Sequence, residues 1–327
     1  MINNIYVNKT TDDTFGSGLI YSCAAYPMLH IGFPSTVISV LVEGHPFVFP
    51  FHEFNALEAI KACHKYKCQG LCGSPRMLNE IISHPDVDAY DLSALDFVFS
   101  VGSVASFSLA KRYHEKFSAG LFFNGYGMSE INSIATFMYN FFIPDIELDE
   151  NTTPIGFPSP FLELKVLSKN NEILPLNQDG ILHVRTYCAM ISYWKEPEKT
   201  RECIDSNGWV NTGDLVSMDE KGCLYFKARL KETIKIYDGS IYPAEIESYL
   251  SKHPNVKESC VFGLKLDDYR EAVCAWIQLI DKSIETTPEQ IIQFCKQNFA
   301  DAKCPKYIKI VDEFTDKTAL GKLQRLI

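Results

Sequence analysis

The chain has 327 residues, 46% hydrophobic and 13% aromatic, enough to bury more than one core and too rich in Phe and Tyr for a disordered polymer. Its 31 Lys and Arg face 41 Asp and Glu, and a net charge of −10 leaves no basic face of the kind that binds nucleic acid. The 11 cysteines are odd in number and include no C-x-x-C pair, the pattern of reduced thiols in a cytosolic or mitochondrial-matrix protein.

No apolar run reaches the length of a bilayer span, no signal or basic transit segment opens the chain, and its end lacks a peroxisomal Ser-Lys-Leu. An intracellular setting is therefore expected, with mitochondrion and cytoplasm not distinguished. In Pro27-Met28-Leu29-His30, a His30 satisfied by a backbone carbonyl is one reading. Residues 55–66 carry Leu57, Ile60 and Cys63 at helical spacing behind a cap at Asn55. Cys63, His64, Cys68 and Cys72 cluster without the spacing of a zinc knuckle, and the cysteines are expected to be ordinary buried thiols.

A short strand at Leu71-Cys72 follows, then a helix opened by Ser74-Pro75 and bearing Met77, Leu78, Ile81 and Ile82. Phe97-Val98-Phe99-Ser100-Val101 reads as a buried strand, residues 106–117 as a helix and Leu121-Phe122-Phe123 as another buried strand. This alternation predicts an α/β fold with a largely parallel sheet. After residue 150 the texture becomes β-rich. Strands are predicted at 161–167 and 181–186, with a hairpin turn at Glu220-Lys221-Gly222. From Ala228 a small α+β domain is expected. Its helix starts at Tyr242-Pro243, its strands lie at 261–263, 272–280 and 307–311, and a capping box at Thr287-Pro288-Glu289-Gln290 opens a second helix.

Four stretches can carry chemistry. Asn124-Gly125-Tyr126-Gly127-Met128-Ser129-Glu130 reads as a loop at a strand's carboxyl end, where open α/β sheets place ligands. Its two glycines permit close backbone approach, Ser129 offers a hydroxyl to a phosphate, and Glu130 offers a hard carboxylate to Mg2+. Downstream lie Gly208-Trp209-Val210-Asn211-Thr212-Gly213-Asp214, Ala228-Arg229-Leu230-Lys231-Glu232-Thr233-Ile234-Lys235 and Lys317-Thr318-Ala319-Leu320-Gly321-Lys322. Taken singly, Thr212-Gly213-Asp214 reads as an ordinary turn, and Lys231, Lys235 and Lys322 as solvated surface lysines.

Together and in this order the four resemble the core motifs of the adenylate-forming (AMP-binding) superfamily, and within it the medium-chain fatty acyl-CoA ligase branch. Ser192-Tyr193-Trp194-Lys195, Pro197, Thr200 and Tyr242-Pro243 with Glu245 add to the match, which spans nearly the whole chain. The resemblance implies a remnant of the large N-terminal α/β domain with a β-rich subdomain at 1–228, and a small mobile α+β C-terminal domain at 229–327. It also implies truncation at the front. Met1-Ile2-Asn3-Asn4 matches the segment that follows the family's T-S-G-T-T-G-x-P-K phosphate loop, and Thr14-Phe15-Gly16-Ser17-Gly18 lacks the lysine that would replace it.

The implied activity is an ATP-dependent acid–thiol ligase: a fatty acid is activated as acyl-AMP and passed to CoA. Lys322 would be the catalytic lysine, and Tyr126, Gly127, Ser129, Asp214 and Arg229 would hold ATP or AMP with it. Glu130 would bind Mg2+, Lys231 would be the domain hinge, Lys235 would touch the adenylate, and His30 and Gly102 would line the acyl pocket. Fatty acid, ATP and CoA are the implied partners, with self-association or a full-length relative as further ones. Departures from the family pattern are Ala228 for a glycine, Tyr237-Asp238 for a glycine pair, Arg270 for a glycine, Val101-Gly102 for Gly-Gly, and Asp316 for a proline. They support a rival reading, a catalytically impaired remnant that binds nucleotide or acyl-adenylate or regulates a relative.

Overall fold

The computed structural model describes residues 20–25, 30–50, 53–103, 105–141, 154–236, 239–266 and 271–314. These form two compact units, one of residues 20–212 with Val216–Phe226, the other of Gly213–Leu215 with 227–314. The larger begins with alternating elements: β1 (Ser22–Ala24), α1 (Gly32–Glu43), β2 (Phe47–Val48), α2 (Ala56–Tyr66), β3 (Gly70–Gly73), α3 (Pro75–Ile82), β4 (Phe97–Val101), α4 (Phe107–Phe117) and β5 (Leu121–Met128). Strands then dominate: β6 (Asn132–Asn140), β7 (Pro154–Pro158), β8 (Leu162–Leu167), β9 (Gly180–Thr186), β10 (Val210–Met218) and β11 (Leu224–Arg229), with α5 (Pro197–Cys203) between β9 and β10.

The helices stop and start where local chemistry dictates. Asn55, Ser74 and Ser106 each accept a backbone N–H from the first turn of α2, α3 and α4, satisfying donors that have no partner within a helix. Lys67 and Ser118 close α2 and α4 in the left-handed conformation, returning their N–H groups to Cys63 and His114. The buried faces of these helices (Ile60, Leu78, Ile81, Leu109, Tyr113) share one core with Cys23, Leu71, Val98 and Phe122 of the strands. Inside it the Tyr113 hydroxyl donates to the Leu78 carbonyl at 2.7 Å, so the one polar atom of a fully buried ring is satisfied.

The eleven strands form one mixed sheet in the order β2-β1-β3-β4-β5-β6-β7-β11-β10-β9-β8. The β2–β1, β1–β3, β3–β4 and β4–β5 pairs are parallel, as the alternation predicts. The largely parallel sheet stops there, because β5 and β6 are joined by only three residues, and so short a link can connect only antiparallel strands. The β6–β7, β7–β11 and β8–β9 pairs are antiparallel as well. This β-rich half has its own core of Ile131, Ile134, Ile155, Leu182, Val184, Val210, Val216 and Leu224.

The smaller unit holds the hairpin β12 (Ile234–Ile236) and β13 (Gly239–Ile241), then α6 (Pro243–Leu250), β14 (Val256–Lys265), β15 (Glu271–Leu279), α7 (Pro288–Lys296) and β16 (Tyr307–Val311). Its sheet runs β14-β15-β16, antiparallel then parallel. The capping box on α7 forms as expected, Thr287 and Gln290 each bonding the other's backbone. Alternation along β14 and β15 sends Val261, Val273, Ala275 and Ile277 to the helices, where Ile246, Leu250, Ile291 and Cys295 meet them. Cys260, Phe262, Ala272 and Cys274 point to the opposite face, under Phe314.

Nine of the eleven cysteines are buried, and only Cys188 and Cys203 are half-exposed. Burial pushes the thiols of Cys72, Cys260 and Cys295 up to about 12. His64 accepts the Asp91 N–H on Nδ1 at 3.1 Å. Among the described residues no group of three or more His, Cys, Asp and Glu is arranged to hold a metal ion, and no helix is long and apolar enough to cross a membrane.

Two glycines separate backbone conformation from backbone crowding. Gly156 has φ +103° and a Cβ there would lie 2.0 Å from the Thr136 carbonyl, whereas Gly222 has φ +83° with open space around it. Gly222→Ala is expected to lose about 1 kcal/mol, the cost of the left-handed conformation alone. Gly156→Ala must also push β7 off β6 and should lose about 2–4 kcal/mol. Equal urea midpoints for the two variants would contradict this placement of β7.

Candidate functional site

The stretch from Asn124 to Met128 does not open a loop: it prolongs β5, and the turn is confined to Ser129, Glu130 and Ile131. Both glycines are required by crowding. A Cβ on Gly125 would meet the Phe99 ring at 3.0 Å and Val101 at 3.1 Å, and one on Gly127 would sit 1.9 Å from the Asn132 carbonyl oxygen. Gly127 falls at a register shift in the β5–β6 ladder, where the extra residue bends the hairpin and aims its tip. Buried Ile131 anchors the turn from below, leaving Ser129 exposed and Glu130 half-buried at the end of the strand.

Neighbouring segments are tied to this hairpin by hydrogen bonds. Buried Asn124 clamps the loop after β4, accepting the Ala105 N–H and donating to the Ala105 carbonyl, each at 3.0 Å. Ser35 of α1 donates to the Asn132 side chain at 2.9 Å. His30 precedes α1, and its Nδ1 accepts the Gly32 N–H at 3.1 Å. Burial lowers its pKa and keeps the ring neutral, as an acceptor must be. Gly102 follows β4 at φ +93°, a conformation that favours glycine. The segments bearing His30, Gly102 and Tyr126 to Glu130 thus meet at the carboxyl ends of β4 and β5, where open α/β sheets receive ligands.

Glu130 is held on two sides by the segment between β9 and α5. Its carbonyl accepts the Met190 N–H at 2.7 Å, and its Oε1 accepts the Tyr193 hydroxyl at 2.5 Å. Sequence reasoning used Tyr193 only as part of a four-residue match and gave it no role. Asn124 was named only within its seven-residue stretch, and Ser35 was not singled out. None of these contacts leaves a local pattern, since each joins residues at least 19 positions apart.

In the smaller unit Asp214 and Arg229, on adjacent strands β10 and β11, form an ion pair with Nε 3.0 Å from Oδ1. Asp214 is 1% exposed and Arg229 is 42% exposed, so the carboxylate is buried and the guanidinium reaches toward solvent. Thr212-Gly213-Asp214 is therefore not a turn. It lies within β10, and Gly213 supplies a positive φ of +68° that bends the strand. Lys231 is exposed in a single 3₁₀ turn after β11. Lys235 is exposed on β12, its N–H donating to the Glu271 carboxylate at 2.7 Å. Pro27 to Leu29, Tyr237, Asp238, Arg270 and Lys317 to Lys322 lie outside the described residues.

A carboxylate offers about four acceptor positions, and Mg2+ usually takes one or two carboxylates with water and substrate phosphate. Glu130, with one oxygen bonded by Tyr193 and the exposed Ser129 hydroxyl beside it, has a donor set of that kind. Asp214 has the chemistry to accept a pair of hydroxyls, with its charge balanced by Arg229.

The AMP-binding enzyme family model matches residues 1–194, more than half the chain, and the AMP-binding enzyme C-terminal domain model matches residues 245–322. The mitochondrial medium-chain acyl-CoA ligase ACSF2 of Rattus norvegicus is 36% identical over 310 residues, covering 94% of this chain and 49% of that protein. The Homo sapiens ACSF2 is 33% identical over 301 residues, 91% of this chain and 48% of that one. The putative acyl-CoA synthetase YngI of Bacillus subtilis is 32% identical over 308 residues, 93% and 54%. The chain thus spans about half the length of the curated relatives it matches.

Among solved structures, the amide bond synthetase McbA from Marinactinospora thermotolerans superposes with a TM-score of 0.83 at 25% identity, over 99% of this chain and 64% of that one. The O-succinylbenzoate coenzyme A synthetase MenE of Bacillus subtilis, in complex with AMP, has the same fold with a TM-score of 0.79 at 22% identity and the same coverage. Motif order, a mixed sheet followed by a separate small sheet unit, and these matches lead to one conclusion: the chain belongs to the AMP-binding enzyme family.

Proposed function

We propose that this chain carries out the chemistry of an ATP-dependent acid–thiol ligase, activating a medium-chain fatty acid as acyl-AMP and passing it to CoA. The observation that carries the proposal is the buried Asp214 carboxylate paired with Arg229. A buried, charge-balanced acceptor suits vicinal ribose hydroxyls, because a carboxylate with its charge offset can bond both without needing water. Similarity to named medium-chain acyl-CoA ligases supports the fatty acid as the acid and CoA as the thiol acceptor.

Bringing a carboxylate to the α-phosphorus of ATP places two anions together, so the site must offset charge and fix orientation. In this reading Asp214 and Arg229 hold the ribose, Tyr126 lies against the adenine, and Gly127 and Ser129 approach the phosphates. Glu130 would hold Mg2+, which supplies charge neutralisation at the phosphates. His30 and Gly102 line the acyl pocket. Lys322 offsets charge at the reacting phosphate, a task suited to a compact ammonium on a flexible stem. The joint between an AMP-binding domain at 1–228 and a C-terminal domain at 229–327 pivots at Lys231, bringing Lys235 to the adenylate. The setting is intracellular, mitochondrial or cytoplasmic.

The test is formation of acyl-CoA and AMP from ATP, Mg2+, CoA and octanoate by the 327-residue chain. Lys322→Ala should lower turnover by about 100-fold or more while ATP still binds. Asp214→Asn should instead raise the KM for ATP by about 10- to 100-fold, because it removes a charged hydrogen-bond acceptor. A folded wild-type protein that binds ATP without turning over any carboxylic acid would overturn the ligase reading in favour of a binding remnant.

A further inference from the structure

The segment that carries Tyr193 is built as a bracket. The Tyr193 N–H donates to the Thr200 hydroxyl at 3.0 Å, and that hydroxyl donates to the Glu196 carbonyl at 2.9 Å. The Glu196 N–H returns to the Tyr193 carbonyl at 3.2 Å, and Lys195 takes φ +57° to make the reversal. Backbone on both sides of Tyr193 is thus fixed before its ring is placed. One further contact, Met190 N–H to the Glu130 carbonyl at 2.7 Å, locks the same segment to the hairpin tip. The Tyr193 hydroxyl donates to Glu130 Oε1 at 2.5 Å.

A bracket of this size is more than one exposed turn needs to stay folded. The turn is already held by buried Ile131 and by the β5–β6 ladder. Tyr193 adds a fixed rotamer for one carboxylate. With Oε1 engaged by a neutral donor, none of the carboxylate's charge is cancelled, and Oε2 adds acceptor positions for a cation. We propose that Tyr193 is a positioning residue for Glu130, setting the carboxylate to take the divalent cation that accompanies a nucleoside triphosphate.

The chemistry of the phenol agrees with this role. A phenol hydroxyl is neutral at physiological pH, so it can donate to the Glu130 carboxylate throughout that range. Cys203 Sγ lies 3.7 Å from the same hydroxyl. Partners of this kind, which hold a metal ligand without touching the metal, commonly carry 10- to 100-fold of the affinity.

The inference rests on the ligase reading, because it takes Glu130 as the ligand of a nucleotide-bound cation. Its test reads binding directly. Mn2+ is titrated by electron paramagnetic resonance into wild-type chain with excess ATP, and into Tyr193→Phe, Glu130→Gln and the double variant, each checked for folding by circular dichroism. Tyr193→Phe should weaken Mn2+ binding about 10-fold or more, and should add nothing once Glu130 is already Gln. In turnover assays it should raise the Mg2+ requirement while kcat at saturating Mg2+ is retained.

Unchanged Mn2+ affinity in Tyr193→Phe would overturn the proposal and leave the ligase reading standing. So would an equal loss in the Glu130→Gln background, which would mark Tyr193 as a structural support. A wild-type chain that binds no Mn2+ with ATP would overturn both.

Discussion

Strand β5 has a parallel neighbour on one side and an antiparallel neighbour on the other, and it can serve both only because its second half is narrow. Gly125 admits Phe99 and Val101 of β4, and Gly127 lets β6 return so closely that the Asn132 carbonyl occupies the place of a side chain. The sheet changes character at this strand, from helix-covered parallel strands to an antiparallel array. The hairpin tip formed by that change carries Ser129 and Glu130 to the ends of the parallel strands. Any residue larger than glycine at position 127 would displace the tip and the bracket that grips it.

Two kinds of polar burial then serve different purposes. The Asn124 clamp and the Tyr113 hydroxyl satisfy backbone groups that would otherwise be stranded in the core, so they act on stability. The Asp214–Arg229 pair pays desolvation for a carboxylate that packing alone does not require, and such pairs give little net stability. Under the proposed ligase activity, a charge kept at that cost serves recognition of the nucleotide. The ionic partner also keeps Asp214 oriented within a strand that Gly213 has already bent.

Much of the architecture was legible from local chemistry. Caps at Asn55, Ser74, Ser106 and Thr287 mark helix starts because the side chain that satisfies the first turn lies within three residues of its partner. Strands β3, β4, β8, β9 and β16 were legible as apolar or alternating runs. The second half of β5 was not, since glycines read as a turn when the reason for them is a neighbouring strand that is not local in sequence. Thr212-Gly213-Asp214 failed for a related reason: a positive-φ glycine can bend a strand as well as end it. Among the candidate residues, Glu130, Asp214 and Arg229 stood out by motif, whereas Tyr193, Ser35 and Asn124 act over distances that no spacing rule spans. Lys322 lies outside the described residues.

The buried thiols give this protein an internal record of its own opening. Cys23, Cys63, Cys68 and Cys72 lie beneath the parallel half of the larger unit, and Cys260, Cys274, Cys295 and Cys304 lie within the smaller. A thiol inside a closed core reacts with an alkylating reagent only when that core opens, so mass-resolved labelling timed in denaturant would report the two units separately on one chain. Cys188 and Cys203, the half-exposed pair, flank the Tyr193 segment and would time the loosening of the hairpin bracket before either core yields.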